Sequence, residues 1–229
     1  MTAATSFSGI QACVFDAYGT LFDVHSAVAR HRQRLGDSAD ALSALWRNKQ
    51  LEYSWLRSLM GRHADFWQVT REALKYACDT FAIEDDALID DLLNAYLRLA
   101  CYPEVPDTLR RLRQQGMKLA ILSNGSPEML KAALDSAGLT DLLDACLSVE
   151  DVGIYKPAPQ VYQLAVDRLQ VPAGAISFQS SNSWDAAGAA SFGFRVAWIN
   201  RFGQRRDRLP AGPHAELTDL QGFPALLGL

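Results

Sequence analysis

Four short apolar runs along the chain each end at a polar or strand-terminating residue, over residues 10–16, 118–123, 175–180 and 194–199. Runs that are apolar throughout, rather than alternating with polar residues, are typical of strands buried on both faces of a parallel sheet. The pattern therefore predicts four core strands, the first of which brings Asp16 to its carboxyl end.

Helical patterns separate or flank these strands, over residues 106–115, 126–138, 160–169 and 184–191. The second pattern carries Pro127 in its first turn and Gly138 at its end, which is the usual placement of these residues in helices. Strands that alternate with helices indicate an α/β protein with a Rossmann-like, doubly wound and mostly parallel sheet.

Residues 23–100 interrupt this alternation, because they contain amphipathic helical stretches such as 41–60 and 66–81 and no convincing strand. We predict a core domain of residues 8–22 and 101–229, with a helical cap subdomain, a helix bundle, inserted as residues 23–100. Such a cap would cover the carboxyl ends of the strands, where open α/β sheets bind ligands.

Composition restricts the classes of partner. Hydrophobic residues make up 49% of the chain and charged residues 21%, and the net charge of −4 argues against a nucleic acid partner. The four cysteines are widely spaced, which favours reduced thiols over a disulfide or zinc framework. No secretory signal and no apolar run of ~20 residues is evident, so we expect a cytoplasmic protein without a membrane partner. We interpret the basic residues 201–208 as a solvated loop.

The predicted strand ends share one chemical feature, which is a cluster of polar side chains. Because parallel strands end at the same edge of a sheet, these side chains should converge, with one lysine and two carboxylates among them. Such a set indicates a catalytic site and consists of Asp16, Thr20, Ser123, Asn124, Lys156, Ser180, Asn182 and Asp185.

These residues resemble the four motifs of the haloacid dehalogenase (HAD) superfamily, in the right order and across the core from residue 10 to about residue 200. The first motif is similar to residues 16–21, the second to Ser123-Asn124, the third to Lys156-Pro157, and the fourth to residues 180–182 with Asp185. The resemblance implies a Rossmann-like core in which Asp16 is a carboxylate nucleophile.

Two departures from the superfamily's common phosphatase pattern are informative. Phosphatases of this superfamily use a second aspartate to protonate the leaving alcohol, and Tyr18 stands at that position. They also place an acidic residue after the fourth strand to complete a magnesium site, where this chain has Ser181 and Asn182. The departures disfavour phosphoryl transfer and favour displacement at carbon, with a leaving group that needs no proton.

Within the superfamily the chain resembles the L-2-haloacid, or (S)-2-haloacid, dehalogenases of type II. Residues 45–60 look like their cap helix, and Arg47 matches the arginine that receives the halide. The resemblance implies that Asp16 attacks the α-carbon of a small 2-haloacid, while Arg47 and Asn124 stabilise the departing halide. Ser123 would hold the substrate carboxylate, and Lys156 would offset the negative charges.

The same resemblance implies the remaining roles. Thr20 and Ser180 would orient Asp16 and Lys156, and Asp185 with Asn182 would position or deprotonate the water that hydrolyses the ester to a D-2-hydroxy acid. No metal or other cofactor is implied, and a homodimer is expected. Tyr162 matches an active-site tyrosine of the family, and the apolar lining of the pocket would consist of Tyr18, Leu51, Phe66 and Trp184.

Three alternatives remain open at this point. The chain could be a superfamily phosphatase with a weak metal site, a related hydrolase acting on fluoroacetate or another activated acid, or a non-catalytic binding protein on the same fold. None of the four histidines falls in a motif, so a histidine-based mechanism finds no support. Gln179 is polar inside the fourth predicted strand, and it either satisfies a backbone group or alters the pocket.

Overall fold

The computed structural model describes residues 7–229 of the chain. Its strands are β1 (Ala12–Phe15), β2 (Phe22–Asp23), β3 (Ala100–Cys101), β4 (Lys118–Ser123), β5 (Ala145–Ser148), β6 (Ile176–Ser180), β7 (Arg195–Ile199) and β8 (Ala215–Leu217). Six of them form one sheet in the order β5-β4-β1-β6-β7-β8, and every neighbouring pair is parallel. The predicted α/β fold with a doubly wound parallel sheet is therefore confirmed.

The order of the strands determines where a ligand can bind. The chain runs outward from β1 through β4 to β5 on one side, and through β6 and β7 to β8 on the other. At such a switch point the connections leave a crevice at the carboxyl ends of the strands. Asp16 directly follows β1 and lies at this crevice.

Helices cover both faces of the sheet and form the segment between β2 and β3. They are α1 (Ser26–Ala29), α2 (Arg32–Leu35), α3 (Ala39–Met60), α4 (Phe66–Thr80), α5 (Asp86–Tyr96), α6 (Val105–Gln114), α7 (Pro127–Ala137), α8 (Pro159–Leu169), α9 (Ser183–Phe192) and α10 (Phe223–Leu226). Local chemistry explains several ends. Asp65 and Ser126 accept hydrogen bonds from backbone N–H groups in the first turns of α4 and α7, and Gly138 ends α7 in the left-handed conformation.

The structure contains two sheet strands and one ribbon that the apolar pattern did not predict. β5 and β8 are short strands at opposite sheet edges, so they lack the continuous apolar run that marks the central strands. β2 and β3 pair as an antiparallel ribbon where the helical segment leaves and rejoins the core. Strands of two residues carry no periodicity, and only the tertiary fold brings them together.

The helical segment α1–α5 packs onto the core through specific contacts. The ring of His63 lies 2.8 Å from a carboxylate oxygen of Glu150, and the backbone N–H of Phe66 donates to the other oxygen at 3.2 Å. The hydroxyl of Tyr155 also donates to the carbonyl of Ala64. These bonds hold the connection between α3 and α4 against the core. Across residues 7–229, no helix has both the length and the apolar character that a membrane span requires.

Candidate active site

Asp16 is held at the end of β1 by hydrogen-bond donors from three other parts of the chain. Its Oδ2 accepts hydrogen bonds from Thr20 Oγ1 at 3.0 Å, Asn182 Nδ2 at 2.9 Å and Ser180 Oγ at 3.4 Å. Its Oδ1 lies 3.1 Å from Lys156 Nζ. The side chain is 7% exposed, so the carboxylate is positioned and largely desolvated.

Lys156 links the two carboxylates of the site. Its Nζ also donates to Asp185 Oδ2 at 2.9 Å, and the other oxygen of Asp185 accepts from the hydroxyl of Tyr162 at 2.8 Å. Burial by itself lowers the pKa of Lys156, but Asp16 and Asp185 raise it above its ordinary value. Burial raises the pKa of Asp185 above its ordinary value, and the nearby ammonium of Lys156 reduces this rise. The lysine is therefore a permanent cation between two acids.

The loop after β4 supports the lysine from the other side. Asn124 Oδ1 accepts the backbone N–H of Lys156 at 3.1 Å, and Ser123 Oγ accepts the N–H of Gly125 at 3.1 Å. A Cβ on Gly125 would lie only 2.6 Å from the ring of Tyr18, so the close approach of these two residues requires glycine. Ser123 and Asn124 are both buried beside the nucleophile's loop.

Arg47 enters the site from α3. Its Nη2 donates to Asn182 Oδ1 at 3.2 Å and to the carbonyl of Tyr18 at 3.5 Å, and its Nη1 donates to Gln50 Oε1 at 2.7 Å. None of the ion pairs formed within residues 7–229 includes Arg47. The guanidinium thus carries a charge that only neutral groups contact, beside an open cleft.

The cleft is a cavity of about 300 Å³ between the helical segment and the core. Its lining includes Arg47, Leu51, Asn182 and Trp184, together with His25, Phe202 and Gln204. Tyr18 and Phe66 lie deeper, with ring centroids 6.0 Å apart, and Tyr18 also stacks on Tyr96 at 5.7 Å. The site therefore combines one free cation with an apolar wall.

Most of the sequence-predicted residues form one hydrogen-bonded network, which consists of Asp16, Thr20, Arg47, Asn124, Lys156, Tyr162, Ser180, Asn182 and Asp185. Leu51 and Trp184 line the cleft, whereas the hydroxyl of Ser123 bonds within its own loop. Ser180 contacts Asp16 rather than Lys156, and Phe66 is buried against Tyr18 below the cleft. Gln179 faces away from the site: it hydrogen bonds to Ser177 Oγ at 2.5 Å, and its amide nitrogen can donate to the Val14 carbonyl at 3.2 Å. Of the two roles left open for Gln179, the structure supports the satisfaction of a backbone group.

Other residues of the site were not predicted. Gln50, Thr70 and Tyr96 contact Arg47 directly or through one another, and only Gln50 had a sequence signal, because it stands three positions after Arg47 on one helix. The interpretation of residues 201–208 as a solvated loop is wrong for Arg201. Its guanidinium is buried, pairs with Glu104 at 2.7 Å and donates to the carbonyl of Thr20 at 2.8 Å.

The side chains of the site show whether it could bind a metal ion. In the part of the chain that the structure describes, no three histidine, cysteine or acidic side chains come together as they would around a metal ion. The two carboxylates of the site, Asp16 and Asp185, are instead both paired with the ammonium of Lys156, which repels a dication. This arrangement does not fit a magnesium site.

Comparison with known proteins agrees with the fold and the site. Residues 10–193 match the family model of the haloacid dehalogenase-like hydrolases. The chain is 50% identical over 219 residues to (S)-2-haloacid dehalogenase 1 of Pseudomonas sp. (strain CBS-3), covering 95% of this chain and 96% of that protein. The fold and the carboxylate-lysine site define a hydrolase of the Rossmann-like α/β class. The chain belongs to the haloacid dehalogenase-like hydrolase family.

Solved structures extend the comparison to three dimensions. A dehalogenase solved with an intermediate complex superposes with a TM-score of 0.95 at 49% identity, covering 96% of this chain and 98% of that one. The L-2-haloacid dehalogenase from Xanthobacter autotrophicus, solved with chloropropionic acid covalently bound, superposes with a TM-score of 0.89 at 40% identity, covering 95% of this chain and 98% of that one.

Proposed function

We propose that this protein is a hydrolytic dehalogenase that converts short L-2-haloacids to D-2-hydroxy acids and halide. The observation that carries the proposal is the pairing of a lysine-held carboxylate, Asp16, with an arginine, Arg47, whose charge is free to meet an anion. Similarity to (S)-2-haloacid dehalogenases over almost the whole chain supports the same activity.

In the first step Asp16 attacks the α-carbon of the substrate from the face opposite the halogen. A carbon–oxygen bond forms as the carbon–halogen bond breaks, and the halide leaves with the bonding electron pair, so no proton is needed. The contacts of Thr20, Asn182 and Lys156 with Asp16 keep its carboxylate aimed before the substrate arrives. Inversion at carbon follows from the direction of attack.

Separate groups receive the two anions of the reaction. Arg47, together with Asn124, stabilises the departing halide. Ser123 and nearby backbone N–H groups hold the substrate carboxylate. Lys156 lowers the repulsion between that carboxylate and Asp16, which would cost several kcal/mol in a poorly solvated pocket. Tyr18, Leu51, Phe66 and Trp184 supply the apolar surface for the alkyl group.

In the second step water attacks the carbonyl carbon of the Asp16 ester. Asp185 accepts a proton from that water while Asn182 helps to position it. As the tetrahedral adduct collapses, the proton passes from Asp185 to the departing alkoxide oxygen, which releases the hydroxy acid, and Asp16 loses the remaining proton to solvent and returns to a carboxylate. Burial raises the pKa of Asp185, which favours proton uptake, and its bonds to Lys156 and Tyr162 hold it in place. The ester therefore forms and hydrolyses on the same carboxylate.

We also propose a domain organisation, an oligomeric state and a cellular location. Residues 8–22 and 101–229 act as the core domain, residues 23–100 act as the cap, and the protein works as a cytoplasmic homodimer. Size-exclusion chromatography with light scattering tests the dimer, since a monomer at micromolar concentration would contradict it. Cell fractionation tests the location.

One assay separates the proposed activity from its alternatives. The protein is incubated with L-2-chloropropionate and with fluoroacetate in the presence of EDTA, and halide release is measured. Chloride release that EDTA does not affect is the expected result. A preference for fluoroacetate would indicate the related dehalogenase. Magnesium-dependent hydrolysis of p-nitrophenyl phosphate without halide release would indicate a phosphatase, and inactivity on all three substrates would indicate a binding protein.

A single turnover in ¹⁸O-labelled water tests the nucleophile. Label should enter Asp16 before it appears in product, because the first hydroxy acid carries an oxygen from the carboxylate. Label in the first product molecule would mean that water attacks carbon directly. Asp16→Asn should abolish turnover, and mass spectrometry of the variant detects any return to aspartate.

A further inference from the structure

Arg47 is aimed by a buried amide that none of the catalytic steps uses. Gln50 lies one helical turn further along α3, is 1% exposed, and accepts the Nη1 hydrogen of Arg47 on its Oε1 at 2.7 Å. The hydroxyl of Tyr96 donates to the same oxygen at 3.1 Å. Two hydrogen bonds satisfy the acceptor capacity of that oxygen, so it has one orientation.

The other end of the amide is equally constrained. Gln50 Nε2 donates to Thr70 Oγ1 at 2.7 Å, and that hydroxyl donates to the carbonyl of Phe66 at 2.7 Å. A flipped amide would place its nitrogen against two donors and is excluded by this chain of bonds. Residues of α3, α4 and α5 therefore determine together where the guanidinium points.

The neutrality of Gln50 matters as much as its geometry. All three acceptors of Arg47, namely Gln50 Oε1, Asn182 Oδ1 and the Tyr18 carbonyl, are uncharged. A carboxylate at position 50 would fit the same space, but it would cancel the positive charge in a poorly solvated environment. An amide orients the cation and leaves its charge for an anion in the cleft.

We propose that Gln50 is a positioning residue that aims the Arg47 guanidinium into the cleft while leaving its charge uncompensated, so that the departing halide can be bound. This inference rests on the proposed function. Gln50 itself contacts neither substrate nor halide, and it acts through Arg47. Its replacement should alter halide binding and leaving-group departure more than substrate capture.

Chloride binding to the enzyme without substrate tests the inference apart from turnover. The broadening of the ³⁵Cl NMR signal by the protein reports bound chloride and is measured for wild type, Gln50→Glu, Gln50→Met and Arg47→Leu. Loss of one hydrogen bond to a charged group corresponds to about a tenfold or greater loss of affinity. We expect at least that loss for both Gln50 variants, with Gln50→Glu close to Arg47→Leu.

Kinetics and a matched control separate positioning from stability. With L-2-chloropropionate, the Gln50 variants should lose kcat by about tenfold or more with KM little changed, because halide contacts strengthen as the bond breaks. The control is Ala77→Gly, because Ala77 is buried two turns further along α4 than Thr70 and makes no bond of this network, while glycine inside a helix lowers stability. This variant should have a lower melting temperature while its chloride binding stays close to wild type.

The outcomes distinguish the inference from the proposed function. If Arg47→Leu loses chloride binding while a folded Gln50→Glu or Gln50→Met keeps it, the role of Gln50 is wrong and the dehalogenase proposal stands. If Ala77→Gly loses chloride binding as strongly as the Gln50 variants, chloride binding follows stability and the positioning role of Gln50 is wrong. If Arg47→Leu still binds chloride and dechlorinates, the assignment of Arg47 fails, and that of Gln50 fails with it.

Discussion

The ammonium of Lys156 lies 3.1 Å from a carboxylate oxygen of Asp16, and both side chains are almost completely shielded from solvent. A buried pair of this kind contributes little net stability, since the desolvation of two ions offsets their attraction. Its value lies in chemistry, because it holds an ionised carboxylate in a place where an unpaired one would be costly. The same ammonium lies 2.9 Å from an oxygen of Asp185, so one cation compensates both buried carboxylates.

Lys156→Met should both destabilise and inactivate the protein. Removal of the cation leaves Asp16 and Asp185 as buried, uncompensated acids, and breaking such a pair costs about 3–5 kcal/mol of unfolding free energy. Urea unfolding measures that loss, and single-turnover halide release measures the activity. An equally stable and active variant would show that neither carboxylate depends on the lysine.

Tyr162→Phe should impair the hydrolysis of the ester more than its formation. The hydroxyl donates to Asp185 Oδ1 at 2.8 Å and lies 3.3 Å from the Asp185 carbonyl, so its loss removes a hydrogen bond that holds the proposed base in place. We expect about 1.5–3 kcal/mol less stability. Rapid-quench mass spectrometry should find more esterified Asp16 in the variant at steady state. Unchanged ester levels would contradict the role of Asp185 as the base.

Gly188→Ala should disturb the site through packing alone. An added Cβ would lie 2.5 Å from the Tyr162 hydroxyl and 2.6 Å from Pro157 Cβ, so two groups next to Lys156 and Asp185 must move. Overpacking of this kind costs about 1–3 kcal/mol. The matched control is Gly174→Ala, whose Cβ would meet nothing within 4 Å. Thermal unfolding and chloride release of the two variants provide the comparison.

Strongly alkaline pH should destabilise the protein in a specific window. The folded-state pKa of Lys156 lies above 10.5, so its contribution to the unfolding free energy is complete below that pH and is lost as pH rises through the folded value. Burial also raises the pKa of Tyr18 and Tyr162 above 10.0, so they too contribute to the unfolding free energy at lower pH and lose that contribution as pH rises. Phenolate absorbance should show these tyrosines titrating only with unfolding. Ionisation of every tyrosine in the folded protein would contradict this expectation.

Much of the architecture could be predicted from local sequence. The central strands were recognisable because both of their faces are buried and their residues are apolar throughout, and helix ends such as Ser126 and Gly138 follow from capping chemistry. The edge strands β5 and β8 and the ribbon β2–β3 could not be predicted, because partners distant in sequence create them.

By itself the sequence determined the fold class and the set of polar residues at the strand ends, since both depend on short-range patterns. Only the tertiary structure decided which of these residues touch. It placed Lys156 between two carboxylates, turned Gln179 away from the site, buried Arg201 and joined Gln50 to Arg47. The physical reason is that strand order and side-chain packing across the cleft set these contacts, and neither is encoded in the spacing of residues along the chain.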